Sequence, residues 1–170
     1  MKKDNYQLYF KITKLTQYCL KDIESLSTSF NFKYMTRINI IPVEELMDQH
    51  LIAEYREITM VPASLARTLS SKTGLDYKKI PKSYILNKGH VYFFYDKGFY
   101  LSQRYELLVI EMKKRGFKPD SNRKFPIGIF KNNGLYNDWT PTAHAYTVIR
   151  ERIRKKIKMK PNWYRKTHND

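Results

Sequence analysis

Residues Met35–Glu57 read MTRINIIPVEELMDQHLIAEYRE. The stretch opens on a Met-Thr pair suited to a translation start and runs through a short apolar piece, Ile38 to Val43, toward a helix. At 100° per residue, His50, Glu54 and Glu57 fall within about 60° of one another. One face therefore carries an imidazole and two carboxylates, with Arg56 beside them. Met47, Leu51, Tyr55 and Ile58 form a second, apolar stripe that should face a core. On spacing alone, the simplest reading of the polar face is solvated surface, because charged side chains are seldom buried unless paired.

Working outward, the first helix is expected from near Glu44 to about Lys72, with Gly74 as the residue just past its end. Pro62 lies inside that span and predicts a kink or break near Val61. A basic loop from Asp76 to Lys88 follows, holding Lys78, Lys79, Lys82 and Lys88. A second helix should run from Phe99 to Arg115 and stop at Gly116. Tyr100, Leu107, Leu108 and Ile110 to Met112 give it more than one apolar stripe, the pattern of a helix buried on much of its surface. Phe117 to Asp138 is rich in turn residues. Thr140 is then expected to cap a third helix, with Pro141 at its first position. Ile149, Ile153 and Ile157 step by four along its core face, and Pro161 ends it. The pattern predicts an all-α single domain of three main helices with long irregular loops.

Residues 1–34 read differently. Leu8, Ile12, Leu15 and Cys19 hint at a helix that Ser25 to Ser29 interrupts. The segment has neither the apolar run of a secretory signal nor the arginines of an organellar transit peptide.

The chain has 170 residues, enough for one domain with its own core. Thirty-two Lys and Arg against sixteen acids give a formal charge of +16. Such an excess implies a polyanionic partner, nucleic acid first and an acidic membrane surface second. No apolar run is long enough to span a bilayer. The single cysteine excludes an internal disulfide and fits a reducing cytosol. His50, His90, His144 and His168 lack zinc-ligand spacing, so no metal site is expected.

Charge concentrates at the end of the chain. Arg150 to Lys166 holds nine basic residues and one acid, Glu151. Such a strip neutralises phosphates and releases counterions, so binding should weaken with salt. Trp163 and Tyr164 lie within it, and aromatics among cations stack on bases while the cations grip the backbone. The plainer alternative has Trp163 closing the core beside a solvated basic face.

Three ordered motifs now carry a resemblance: Met35 to Glu57, GHVYFFYDK (Gly89 to Lys97) and KPNWYRK (Lys160 to Lys166). Together they resemble the pyrimidine-dimer DNA glycosylases of phages, the dimer-specific endonuclease V family, from Met35 to about Lys166. That family begins Met-Thr-Arg-Ile-Asn and continues into a helix matched here by Asp48 to Leu51 and Ala53 to Glu57. The resemblance has no counterpart to residues 1–34. They are read as an extension, cleaved or upstream of the true start, before a glycosylase and abasic-site lyase domain over 35–170.

The resemblance implies that Thr36, once the Met before it is removed, supplies its α-amine as nucleophile, and that Glu57 is the essential acid. It implies DNA contacts for Arg37, Gln49, His50, Arg56, Arg152, Lys156, Trp163 and Tyr164. It also implies that GHVYFFYDK is an irregular, core-packed loop. There His90 is expected to be a satisfied core histidine, and Tyr92, Phe93, Phe94 and Tyr95 to be packing. Met60 departs from the pattern, standing where a family member has a DNA-contacting arginine. Glu54 is assigned no chemistry. The expected partner is double-stranded DNA carrying UV damage. No cofactor, metal or membrane is expected, and the protein should be a cytoplasmic monomer. Two alternatives stand beside this: a basic nucleic-acid-binding module without chemistry, and a glycosylase or lyase for other base lesions.

Overall fold

The computed structural model describes residues 38–86 and 89–167. Residues 1–34, Met35, Thr36, Arg37, Lys88 and His168 lie outside them. Among the described residues the structure is helical and has no strand. Six helices follow in order: α1 Asp48–Glu57, α2 Met60–Leu69, α3 His90–Phe93, α4 Gly98–Lys114, α5 Gly128–Lys131 and α6 Ala143–Met159. Short 3-10 turns at Val43–Glu45 and Tyr77–Lys79 lie in the connections. Among the described residues one antiparallel bridge joins Lys97 to Tyr136.

The first expected helix is split into α1 and α2, and it starts at Asp48 rather than Glu44. The break falls at Ile58 and Thr59, earlier than the expected position near Val61. Proline chemistry accounts for the shift. Pro62 has no N–H for the carbonyl four residues back, which belongs to Ile58, and its ring would clash with it. The helix ends one residue before that carbonyl. Val61 N–H turns to the Ile58 carbonyl at 3.3 Å, and Thr59 Oγ1 donates to the Arg56 carbonyl at 3.2 Å. Pro62 then falls in the first turn of α2, where a missing N–H costs nothing. Because α2 ends at Leu69, Gly74 is not its terminating residue; it lies in a later turn at φ 62°.

α4 closely follows its expected bounds. Gly116, at φ 78°, donates to the Lys113 carbonyl, and Phe117 N–H donates to the Met112 carbonyl. These paired bonds satisfy two of the helix's last carbonyls and need a left-handed residue where glycine stands. The helix is less enclosed than its apolar content suggested, since Leu107 is 48% and Ile110 61% exposed. Its buried line is Leu101, Arg104, Leu108, Glu111 and Arg115, stepping three and four residues. α6 begins at Ala143, two residues later than expected. Thr142, not Thr140, is its cap and accepts from Ala145 N–H at 3.2 Å. Ile149 and Ile153 are buried on α6, with Ile157 packed partly against them.

The aromatic stretch 89–97 is not wholly a loop. His90–Phe93 form one helical turn, α3, whose backbone bonds let it enter the interior. Phe93, Phe94 and Tyr95 are buried there, as packing residues should be. Phe93 meets Trp139 edge-on with ring centroids 5.1 Å apart. α1 packs along α4 and against α2, while α2 also meets α3 and α5. Leu51, Tyr55, Ile58, Val61, Leu65, Leu101 and Leu108 join Ile149 of α6 in one core. Each fully buried aliphatic side chain is worth roughly 1.5–3 kcal/mol.

One backbone outlier lies ahead of α1. Ile40 has φ 42°, in the left-handed region, and it is β-branched and buried. Such a conformation costs about 1–3 kcal/mol and persists only where its surroundings over-determine it. Ile41 N–H closes across it onto the Asn39 carbonyl.

Candidate functional site

α1 carries the residues singled out by spacing, but its polar face is not a solvated surface. Glu54 is fully buried and His50 nearly so, while Glu57 at the end of the helix is half-buried and Arg56 exposed. Glu54 is paired: Arg104 reaches it from α4 with Nε 2.7 Å from Oε1 and Nη2 3.1 Å from Oε2. Asn39 Nδ2 donates to Oε2 at 2.9 Å. Burial works against the Arg104 charge, but contact with the Glu54 carboxylate outweighs it and holds the guanidinium above its ordinary value. Glu54 therefore fixes the helix to its neighbours.

The first turn of α1 holds the end of the chain. Asp48 accepts from Arg115 Nη1 at 2.9 Å on Oδ1. Its Oδ2 accepts from the Thr167 N–H at 3.0 Å and the Thr167 hydroxyl at 2.8 Å. Asp48 N–H donates to the Arg165 carbonyl at 2.8 Å, and Gln49 Oε1 accepts from Arg165 N–H at 2.9 Å. The tail is thus seated on the helix, and Tyr164 lies over His50 with centroids 4.5 Å apart and planes 23° from parallel. Trp163 does not close the core; it is 46% exposed.

α6 brings its basic residues to the same place. Asn39, His50, Arg152, Ile153 and Lys156 line a cavity of about 10 Å³. Such a space holds about one water. Arg152 and Lys156 are half-buried there, while Arg154, Lys155 and Lys158 lie exposed along the helix. Arg150 turns elsewhere, pairing with Glu45 through Nη1 and Nη2. That hydrogen bond holds the Glu45 carboxyl below the ordinary range.

Of the residues expected to contact DNA, His50, Arg152 and Lys156 share one cavity, Tyr164 caps His50 and Gln49 holds the tail. Arg56 and Glu57 lie further along α1, with seven residues, about 10 Å, from His50 to Glu57. Thr36 and Arg37 lie outside the described residues. Met60 is exposed at the first position of α2.

Sequence reading passed over Asn39, Arg104 and Arg115. Arg115 is buried and donates to Glu111, Asp48 and the carbonyls of Val43, Glu44 and Leu46. A signal was available: Arg104, Glu111 and Arg115 occupy core-facing steps of α4, where charge is tolerated only when paired.

His90 is buried and bonded through both ring nitrogens. Nδ1 donates to the Ile85 carbonyl at 2.9 Å, and Nε2 accepts from Ile38 N–H at 3.1 Å. Burial, aided by the Arg152 charge, pushes its pKa down to about 4 against the Ile85 hydrogen bond. The imidazole is thus neutral at physiological pH, in the tautomer those two bonds require.

No cluster of potential metal ligands occurs among the described residues. No helix there is long and apolar enough to cross a membrane. A family model described as pyrimidine dimer DNA glycosylase matches residues 35–125. That span takes in the N-terminal motif, the buried Glu54–Arg104 pair and the aromatic stretch, and leaves α6 and the tail beyond it. With more than half its length matched, the chain belongs to the pyrimidine dimer DNA glycosylase family.

Proposed function

We propose that this protein is a DNA repair glycosylase with abasic-site lyase activity, acting on cyclobutane pyrimidine dimers in double-stranded DNA. The observation that carries the reading is the family match over residues 35–125. Two features support it: the +16 formal charge, and the meeting of Arg152, Lys156, His50 and Tyr164 at one surface of α1. In this reading the cations grip phosphates, and the half-exposed Trp163 stacks at the lesion.

The chemistry assigned to Thr36 follows from its α-amine. An ordinary α-amine has a pKa of about 8, roughly two units below lysine, so a useful fraction is neutral near pH 7. Nearby cations lower it further. The neutral nitrogen attacks C1′ of the damaged nucleotide, and the glycosidic bond breaks with its electron pair leaving on the base, which takes up a proton. Loss of the nitrogen's proton and opening of the sugar give a cationic imine at C1′. The imine acidifies C2′; removal of that proton expels the 3′ phosphate by β-elimination, and water then releases the amine.

Glu57 is assigned three tasks: protonating the opening ring oxygen, stabilising the cationic imine and accepting the C2′ proton. Arg37, Arg56 and Gln49 are assigned to holding the duplex. No step requires a metal or an organic cofactor.

An amide nitrogen cannot form this imine, because its lone pair is delocalised into the carbonyl. The mechanism therefore requires residues 1–35 to be absent from the active form. Forms starting at Met1 and at Met35 should be compared for nicking of irradiated duplex, with intact mass recorded and adducts trapped by borohydride. Activity and a trapped adduct only in the short form are expected. Full activity in a form whose mass shows residues 1–35 attached would refute the assignment. Salt-sensitive binding without an adduct in either form would favour a binding module instead.

A further inference from the structure

The backbone just after the assigned nucleophile is held with unusual thoroughness. Ile38 N–H donates to His90 Nε2 at 3.1 Å, and the Ile38 carbonyl accepts from the Tyr84 hydroxyl at 3.2 Å. Asn39 is tied through its side chain to Glu54 at 2.9 Å. The Ile41 carbonyl accepts from Arg104 Nη1 at 2.5 Å. Between these bonds Ile40 is kept at φ 42° although it is β-branched. A conformation that local preference opposes is here imposed by three parts of the fold: α1, α4 and the segment carrying Tyr84 and His90.

We propose that His90 is a positioning residue for the reacting amine: by holding the Ile38 amide it fixes where the chain leading back to Thr36 begins. This rests on the reading that Thr36 is the nucleophile. Thr36 lies two residues before Ile38, and two residues of chain span at most about 7 Å. The Ile38 amide is thus the nearest anchored point from which the amine can be placed. Misplacement by about 1 Å can cost roughly a hundredfold in rate.

His90 suits the task. Its Nδ1–H is committed to the Ile85 carbonyl, which leaves Nε2 as a fixed acceptor. The ring is held edge-on against Tyr84 and Phe94, with centroids 5.4 and 5.3 Å away. It stays neutral, so the acceptor is not lost near pH 7. Neither nitrogen is available to act on a substrate, which separates His90 from the residues assigned to the reaction itself.

The test uses the full-length protein carrying an inserted protease site that, cut after folding, leaves Thr36 first. His90→Phe keeps the aromatic contacts and removes both hydrogen bonds. Single-turnover borohydride trapping on an abasic-site duplex gives two numbers, a rate constant and a final trapped fraction. Misfolding lowers the fraction; misplacement lowers the rate. The expected result for His90→Phe is a rate about 10- to 100-fold below the parent, with an unchanged trapped fraction and unchanged duplex binding. His90→Gln, which restores an acceptor, should recover part of the rate. Tyr84→Phe, which removes only the bond to the Ile38 carbonyl, should lose a smaller factor and gives a second reading if His90→Phe does not fold. The Ile38 amide should exchange with deuterium at least about tenfold faster in His90→Phe, since its acceptor is gone. Parental rates in His90→Phe, or in Tyr84→Phe where only that variant folds, overturn the role of His90, as does a loss confined to the trapped fraction. An adduct mapped in the parent to a residue other than Thr36 overturns instead the reading on which the role depends.

Discussion

Replacing Glu54 by Gln should destabilise the fold by about 3–5 kcal/mol, because it strands a buried positive charge. Glu54 has no exposed surface and Arg104 has 4%. The carboxylate accepts two bonds from Arg104 and one from Asn39. The amide has nearly the same volume, so the loss is of charge and of acceptor capacity rather than packing. For a domain of this size 1 kcal/mol moves Tm by roughly 2–4 °C, so a fall of about 6–20 °C is expected. Arg104→Met should cost a similar amount by stranding the carboxylate, with only Asn39 left to donate to it. The double variant Glu54→Leu with Arg104→Met removes both charges together. It should lose only about 1–3 kcal/mol, from the Ile41 carbonyl and the Asn39 amide left without their partners. Urea titration of the parent, Glu54→Leu, Arg104→Met and the double variant, followed by tryptophan fluorescence and far-UV circular dichroism together, yields the cycle. A coupling of at least about 2 kcal/mol is expected, since contacting residues are the ones that fail to add. A cost below about 1 kcal/mol for Glu54→Gln, or additive losses in the cycle, would refute the view that the pair is a buried structural tie.

Glu57→Gln, one turn further along α1, should behave oppositely: folded stability and affinity for damaged duplex should hold, while cleavage falls by about 10²- to 10⁴-fold in a nicking assay. Neutralising Arg152 and Lys156 with glutamine should weaken binding to damaged and undamaged DNA alike and reduce the slope of log K against log salt by roughly 1–2, measured by fluorescence anisotropy. Trp163→Ala should leave the urea midpoint unchanged, given its exposure, and cost about 1–3 kcal/mol of preference for the lesion in competition binding. His90 has a folded pKa of about 4 against an ordinary 6.5. Its contribution is therefore complete above pH 6.5 and is lost as pH falls toward 4, a decline of about 3 kcal/mol that His90→Phe should lack in parallel urea titrations.

The fold was legible where local pattern decides it. Ile149, Ile153 and Ile157 marked the buried side of α6, and Gly116 marked the end of α4, because both are statements about neighbours in sequence. The break between α1 and α2 was legible in kind. Its position followed from Pro62 once the affected carbonyl was counted back to Ile58 instead of taken at the adjacent residue. The polar face of α1 was where local reading failed. Glu54 and Glu57 share a face, so spacing cannot tell them apart. Their environments differ because Arg104, fifty residues away, meets one of them. The tail is a stronger instance. Its bonds to Asp48 and Gln49 join residues 116 to 119 apart in sequence. No periodicity encodes that.

The placement of charge links the core to that surface. Asp48, Glu54 and Glu111 are the buried carboxylates among the described residues, and Lys97, Arg104 and Arg115 the buried cations. Their charges cancel, as a low-dielectric interior demands, since an unmatched ion there would cost several kcal/mol. Arg104 and Arg115 both meet α1 or the turn before it, and between them they match Glu54, Asp48 and Glu111. The positive excess of the chain consequently lies outside the core, where phosphates can reach it. Asp48 takes part on both sides: its Oδ1 meets Arg115 in the interior while its Oδ2 holds Thr167 of the tail. The aromatic and cationic groups are thereby carried on helices and on a tail pinned to one of them. Under the proposed function, a rigid support of this kind favours a recognition surface already shaped before DNA arrives.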